Sequence, residues 1–559
     1  MATASANLQP MWTKRVAANT GGRDPLGLSR VAFLITDFLL SGIITTTDRA
    51  RYYSFYCWAL WHIEREEKPK TDREFVTAFR RREAAMALAT VANNPATSPV
   101  GVLAVTPQLE KGKEEGVFNC DFKVLPSNPL GGYGQYYAGS LYHLKLYHRP
   151  ENSFDSVTEG IAEELAEAFH AAIERSPYIK KQLYREAHIP AADLEKSKEF
   201  LTLDALSNPF AATERAKLID IFFGFSNQHV DQSTVLRRHT LTLLLHAIRE
   251  HERQGIYPDA SKPATLDEYL LYAFYYGVLW LDEADETFPY KAPETLTFCR
   301  ELWRQFCLHQ FLAQAIEFLL CGVLELLSVE VSGLTSDEIV ARLAQPEFTN
   351  ALEELTGESC DRPRDLLNSL GIQGVPDAAV SQTLQNRLLP THTLSEAQVL
   401  GLSYTDAQSM AAQGVLLLAV LYGKWRGVSA DHAFAYVATH ARQELWTGTV
   451  LTYLDSWADE STTWQTALQN IIEPFIFKQH DRIMYEKGKL DSCWLERREG
   501  HIVKVQDYDP VWRSSRHLNA VRIMRDLGLI RFGDENDLSL TAQGKKILKR
   551  SLEHSHGTT

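Results

Sequence analysis

The 559-residue sequence is poor in several things that would each have fixed a class. It has no excess of positive charge: 57 Lys and Arg against 71 Asp and Glu give −14. A protein that coats nucleic acid over its whole surface is therefore excluded, although one basic module within an acidic chain is not. It has only seven cysteines, at 57, 120, 299, 307, 321, 360 and 493, and no CxxC spacing. An odd, scattered set reads as buried, reduced thiols rather than a disulfide framework or a zinc site. Uninterrupted apolar runs stay near a dozen residues. Gln310–Leu327 is broken by Gln314, Glu317 and Glu325, and Val415–Tyr422 is shorter still. Both fall short of the ~20 residues of a bilayer span and read as buried helices. The opening MATASANLQPMWTKRV lacks an apolar core behind its basic residues, so it is not read as a secretory signal. The expected setting is cytoplasmic, without a membrane.

Motifs of chemistry are equally sparse. HExxH, the deaminase pair HxE with PCxxC, GxSxG and the kinase signature do not occur. His143 with His148 and His246 with His251 are five apart, a poor spacing for sharing a metal on a helix. Asp282, Glu283, Asp285 and Glu286 form an acidic run that a magnesium-dependent nuclease could use, but a solvated helix end explains it as well. No cofactor and no metal are expected.

What is present is apolar periodicity of helical type. At roughly 100–200 residues per domain the length predicts about three to five packed units. Ser156–Ile173, 265–282, 294–329, 336–344 and 408–424 repeat apolar residues at three and four. Strand-like alternation is confined to Gly101–Val105, Val117–Val124, His501–Val505 and Leu529–Phe532. The fold class expected is mainly α, multi-domain, with a few short strands. Breakers at 93–99, 126–139, 251–263, 357–376 and 390–394 suggest four stretches: 1–150, 151–350, 351–488 and a C-terminal module at 489–559.

That module carries the clearest pattern. In RSSRHLNAVRIMRDLGLIRFGDENDLSLTAQGKKILKR, Ser514 or Ser515 can cap a helix. Leu518, Val521, Met524 and Leu527 share one face, and Gly528 can end the helix in the left-handed conformation. Leu529–Phe532 and Leu538–Leu540 then read as a hairpin with GDEND at its tip, followed by a basic helix, Thr541–Arg550. The stretch resembles the winged helix-turn-helix superfamily, notably in its LGLI…LT..G..IL close. The resemblance implies a helix in the major groove of double-stranded DNA and a hairpin on phosphate, with protein partners as the alternative use. Arg516, His517, Asn519, Arg522 and Arg525 would read DNA, with Lys545, Lys546, Lys549 and Arg550 near the backbone. Between 513 and 550 there are nine basic and four acidic residues, a local +5, although Asp534, Glu535 and Asp537 at the tip would repel phosphate.

Positive charge also collects at the other end, where the first 60 residues carry six basic and three acidic groups. There Ser29–Leu40 reads as a helix closed by Gly42, with Thr47 or Asp48 capping the next. On that next helix Arg49, Tyr52, Tyr53 and Tyr56 cluster on one side, and Arg51, Phe55 and Trp58 on another. Guanidinium beside aromatic rings suits a phosphate and a stacked base. The same stripe also reads as core, with Arg49 or Arg51 paired to Asp37 or Asp48. A second aromatic segment, NPLGGYGQYYAGSLYH at 128–143, offers close backbone approach through its glycines and stacking faces at Tyr133, Tyr136, Tyr137 and Tyr142, with Gln135 among them.

One chemistry needs so few residues that it leaves no motif. A DNA glycosylase requires a carboxylate, aromatic walls for an extruded base and cations to hold the duplex. Asp48 or Asp37 would be the catalytic carboxylate here, with Arg49, Arg51, Tyr52, Tyr53, Gln135, Tyr136 and Tyr137 around the base. In outline the chain is similar to large helical proteins of bacterial phage-defence loci, which implies a DNA-directed role and an enzyme excising modified or foreign bases. The alternatives are a non-enzymatic scaffold or regulator using the winged helix, and a magnesium-dependent nuclease.

Overall fold

A computed structural model describes residues 24–555 apart from 152, 226–229, 258–265, 282–285, 429–430, 442–443, 489–492 and 534–536. Arg23 and the earlier basic residues, the carboxylates at 282, 283 and 285, and the hairpin-tip residues Asp534 and Glu535 lie outside the described residues. The protein is 65% helical, which settles the mainly α class. Every sheet among the described residues is a two-stranded antiparallel pair. The elements that matter below are α1 (Ser29–Leu39), α2 (Arg51–Glu66), α3 (Asp72–Asn93), α4 (Gln232–Gln254), α5 (Thr297–Leu327), α6 (Ala407–Trp425), α7 (His517–Asp526) and α8 (Ala542–Ser555), with the hairpin β1 (Ile530–Phe532) and β2 (Leu538–Leu540).

The long periodic segments form helices close to where their patterns predict. Side-chain acceptors start several of them by taking orphan backbone N–H groups. Thr71 accepts from Glu74 at α3, Asp231 from Thr234 at α4 and Asp406 from Ser409 at α6. By length and composition α5, with the turn before it (Glu294–Leu327), is long and apolar enough to cross a membrane, yet 83% of its apolar window is buried inside the fold, as in a core helix. All seven cysteines are buried thiols outside any disulfide.

Three patterns mislead in part. Gly101–Val105, expected as a strand, opens the helix Val102–Glu115, because Gly101 takes φ +71 and starts a helical turn there. Within 265–282 the helical part ends by Tyr275, and Val278–Leu281 instead pairs as a strand with Glu286–Pro289. Gly277, at φ +71, makes the break. Ser156–Val157 is likewise a short strand, and the helix after it starts only at Ile161, beyond Gly160 at φ +81.

The chain folds into two compact units, each discontinuous in sequence: Met1–Ala32 with Cys307–Arg513, and Phe33–Phe306 with Ser514–Thr559. Of the four consecutive stretches suggested by breakers, only 351–488 falls wholly in one unit, since a breaker marks where an element stops and not what it packs against. In the first unit α6 is buried on all sides. Gly322 on α5 and Gly414 on α6 let the helices approach so closely that a Cβ at either would lie 2.7 Å from a backbone carbonyl of the other. Lys424 and Glu396 form a fully buried ion pair at 2.9 Å in this unit, and Arg513 and Tyr508 both bond to the buried Glu317. In the second unit α2 packs on Ile161–Ile173, α3 on Ala191–Leu201, and α4 on α8 and β2. Arg49, helix α2 with Arg51, and the C-terminal residues 514–555 therefore lie in the same unit, whereas Arg30 belongs to the other.

Candidate nucleic-acid interface

The aromatic stripe of α2 and the glycine-tyrosine segment meet, but in the interior. Tyr133–Tyr137 runs as a π-helical turn, so Tyr133 and Tyr137 both point inward while Gln135 faces solvent and Tyr136 is partly covered. Tyr52 stacks on Tyr56 with centroids 5.3 Å apart, and Tyr137 packs against Tyr52, Tyr53 and Tyr56 at 5.0–5.3 Å. Tyr52, Tyr53, Tyr56, Tyr133 and Tyr137 are all buried. Their faces are occupied by one another, which leaves no slot for an extruded base among them. Their hydroxyls are also engaged: Tyr53 donates to Gly42 O at 2.8 Å, Tyr133 to Asp155 at 2.8 Å, and Tyr52 accepts from Val100 N–H at 2.8 Å.

The glycines do permit a close approach, to a carboxylate of the protein itself. Glu83 of α3 is buried beneath the segment and accepts from the Tyr56 hydroxyl at 2.8 Å and from Gly132 N–H at 2.9 Å. A Cβ on Gly131 would fall 1.7 Å from Glu83 Oε2. Burial raises the Glu83 carboxyl to about 7, against the lowering effect of those hydrogen bonds.

The two N-terminal arginines are interior partners. Arg49 pairs with Asp526 at 2.8 Å and Asp204 at 2.7 Å. Arg51 is fully buried, bonded to Glu214 at 3.2 and 3.3 Å, to Phe200 O at 2.7 Å and to Thr202 O. The core alternative for this helix therefore holds, with different carboxylates from the expected Asp37 and Asp48. The expected cap also differs. Ala50 is the N-cap and offers no side-chain acceptor; Asp526 accepts the Ala50 N–H at 3.1 Å instead.

In the C-terminal stretch, helix, hairpin and final helix follow in the order expected. Gly528 at φ +70 ends α7, with Leu529 N–H on Met524 O closing the turn. The start of α7 is a correction: its N-cap is Arg516, held at φ +60 without a side-chain cap bond, rather than Ser514 or Ser515. Moreover α7 is apolar on two sides, since Ala520 and Ile523 are buried as well as Val521, Met524 and Leu527. The residues expected to read bases point into the unit. Arg516 pairs with Asp37, Asn519 donates to Ile44 O at 3.0 Å, and the buried His517 bonds to Ser515. His517 Nε2 also lies 3.3 Å from Asp267, and burial lowers its imidazole to about 3. Ser515, His517 and Asp267 have the residue types of a hydrolytic triad, but Ser515 and His517 are closed off from solvent and no substrate can reach the hydroxyl.

Only Arg522 and Arg525 of that set remain exposed on α7. Arg522 pairs with Asp48 at 3.1 Å, so both proposed catalytic carboxylates, Asp37 and Asp48, hold an arginine of the C-terminal stretch. The local +5 is offset in the same way: Lys545 faces Glu252 at 3.7 Å, Lys549 faces Glu553 at 4.0 Å, and Arg550 faces Asp220 at 3.1 Å while lying 4.0 Å over the Phe225 ring. Lys546 is exposed, with no partner among the described residues. Sequence reasoning missed the partners: Glu83, Asp204, Glu214 and Asp526. Glu83 alone left a trace, as one carboxylate ahead of the small apolar run AAMALAT on α3.

Among the described residues no three His, Cys, Asp or Glu side chains converge as a metal site requires. Comparison with protein-family models, curated proteins and solved structures finds no match.

Proposed function

We propose that the protein is a non-enzymatic scaffold or regulator that binds double-stranded DNA along the outer face of its C-terminal helix, in a winged-helix arrangement used from the side of its last helix. One observation carries this reading. Lys545, Lys546, Lys549 and Arg550 fall within one side of α8 at 100° per residue, and three of them keep 58%, 81% and 46% of their side-chain surface in solvent. The carboxylate contacts of Lys545, Lys549 and Arg550 are made from exposed cations at the surface, of the kind worth about 0–1 kcal/mol each, which phosphates can displace with release of counterions. Arg522 and Arg525 add exposed charge on α7.

Base excision is less well supported, because Asp37 and Asp48 are taken up by arginines and the tyrosines by one another. The reading is tested by incubating the purified chain with unmodified and phage-modified DNA, in EDTA or Mg²⁺, followed by alkali. Shifted but intact DNA in every arm is expected. Alkali-revealed breaks in EDTA would establish base excision instead, direct breaks needing Mg²⁺ a nuclease, and no shift at low salt would overturn DNA binding.

A further inference from the structure

A cavity of about 370 Å³ opens within the first unit, between α5, the Leu402–Met410 segment and Lys504–Pro510. That size suits a small organic ligand. Its apolar surface comes from Phe318, Tyr404, Met410 and Tyr508. The Tyr508 wall is held in place from behind: its hydroxyl donates to the buried Glu317, which Arg513 also clamps, and its carbonyl accepts from Cys321 at 3.3 Å. The sequence Asp507-Tyr508-Asp509 thus sends its ring inward and leaves a carboxylate on either side of it at the mouth.

The charges at that mouth are not balanced. Lys504 is spent on Asp507 and on Ser328 at 2.7 Å. Glu325 and Asp509 are exposed, line the cavity and have no partner among the described residues. Gln413, the buried amide of the lining, is occupied by Val399 O and Leu402 O at 2.7 and 3.1 Å. Two unpaired carboxylates on a cavity lined by two tyrosines select against anions and favour a cation, through the Coulomb term and the affinity of cations for aromatic rings.

We propose that this cavity binds a small organic cation, an amine on an aromatic or aliphatic body, with the body against Tyr404, Tyr508 and Met410 and the ammonium between Glu325 and Asp509. This proposal does not rest on the DNA-binding reading, since none of the cavity's lining residues belongs to α7 or α8.

Calorimetric titration of the full chain at neutral pH tests this, using 2-phenylethylamine as probe and the equally shaped 2-phenylethanol and phenylacetate as controls. The amine is expected to bind saturably at one site, about tenfold or more tighter than either control. Glu325→Gln with Asp509→Asn should weaken the amine about tenfold and remove its advantage over the alcohol. Both residues are exposed, so the variant should keep the thermal midpoint of the parent; Tyr404→Ala should weaken amine and alcohol together. No saturable amine binding, equal binding of alcohol and amine, or unchanged amine affinity in the carboxamide variant would each overturn the proposal.

Discussion

Asp526 accepts the Arg49 Nε–H at 2.8 Å and, from 476 residues away, the backbone N–H of Ala50 at 3.1 Å. A carboxylate at the end of α7 thereby closes the start of α2, where the local sequence offers no cap. Replacing Asp526 by Ala leaves Arg49, mostly buried, with Asp204 alone, and the cost of breaking a buried pair is about 3–5 kcal/mol. Urea denaturation should show a loss of that order for Asp526→Ala and a smaller one for Asp526→Asn, which keeps an acceptor. A loss below about 1 kcal/mol would mean that the pair does not hold the helix start.

Gly131 is required by Glu83. Alanine there would need φ +53 and would place its Cβ inside the carboxylate. Gly131→Ala should destabilise by about 1–3 kcal/mol, the usual range for overpacking. Combined with Glu83→Ala the penalty should be clearly less than additive, measured as a double-mutant cycle by chemical denaturation. Additive losses would contradict the contact.

Glu83 also makes stability depend on pH. Its carboxyl is raised from 4.5 to about 7 in the folded protein, so the folded state holds a proton there that the unfolded chain releases above about 4.5. The contribution is complete below pH 4.5 and is lost as pH rises through 7. Glu83→Gln should remove this dependence, so that the stability difference between variant and parent shifts in favour of the variant across that window, by up to about 3 kcal/mol at one pH unit per 1.36 kcal/mol. Parallel pH–stability curves would sink the assignment.

The Lys424–Glu396 pair allows a cleaner comparison. Lys424→Met alone strands a buried carboxylate and should cost about 3–5 kcal/mol, whereas Lys424→Met with Glu396→Leu should be close to neutral. Thermal unfolding of the three proteins checks this. A double variant as unstable as the single one would show that the pair does more than satisfy itself.

The helices were legible in the sequence wherever one apolar stripe ran for several turns, as in α1, α5 and α6. The short run Gly101–Val105 was misread, because a strand and the first turn of a helix present the same few apolar positions, whereas His501–Val505 and Leu529–Phe532 were read as the strands they form. The C-terminal helix–hairpin–helix was legible from Gly528 and the two short alternating segments. What could not be read is the destination of the polar groups. Arg49 and Arg51 look the same in sequence whether a phosphate or a buried carboxylate neutralises them, and Asp526 and Glu214 are far away in the chain. His517 and Asn519 look like exposed reading residues until Ser515 and Ile44 O are found beside them. The glycines of 131–134 signalled a close approach correctly, and only the approached group, Glu83, was hidden.

The central claim is that the exposed cations of α8 meet the DNA backbone while the N-terminal arginines and tyrosines hold the fold. Fluorescence anisotropy with a labelled duplex, for the parent and for Lys545→Glu/Lys546→Glu/Lys549→Glu across a salt series, tests it most directly. Binding by the parent that weakens steeply with salt, and is lost in the triple variant with its thermal midpoint unchanged, is the predicted result. Equal binding by both proteins, or no binding by the parent at low salt, would contradict it.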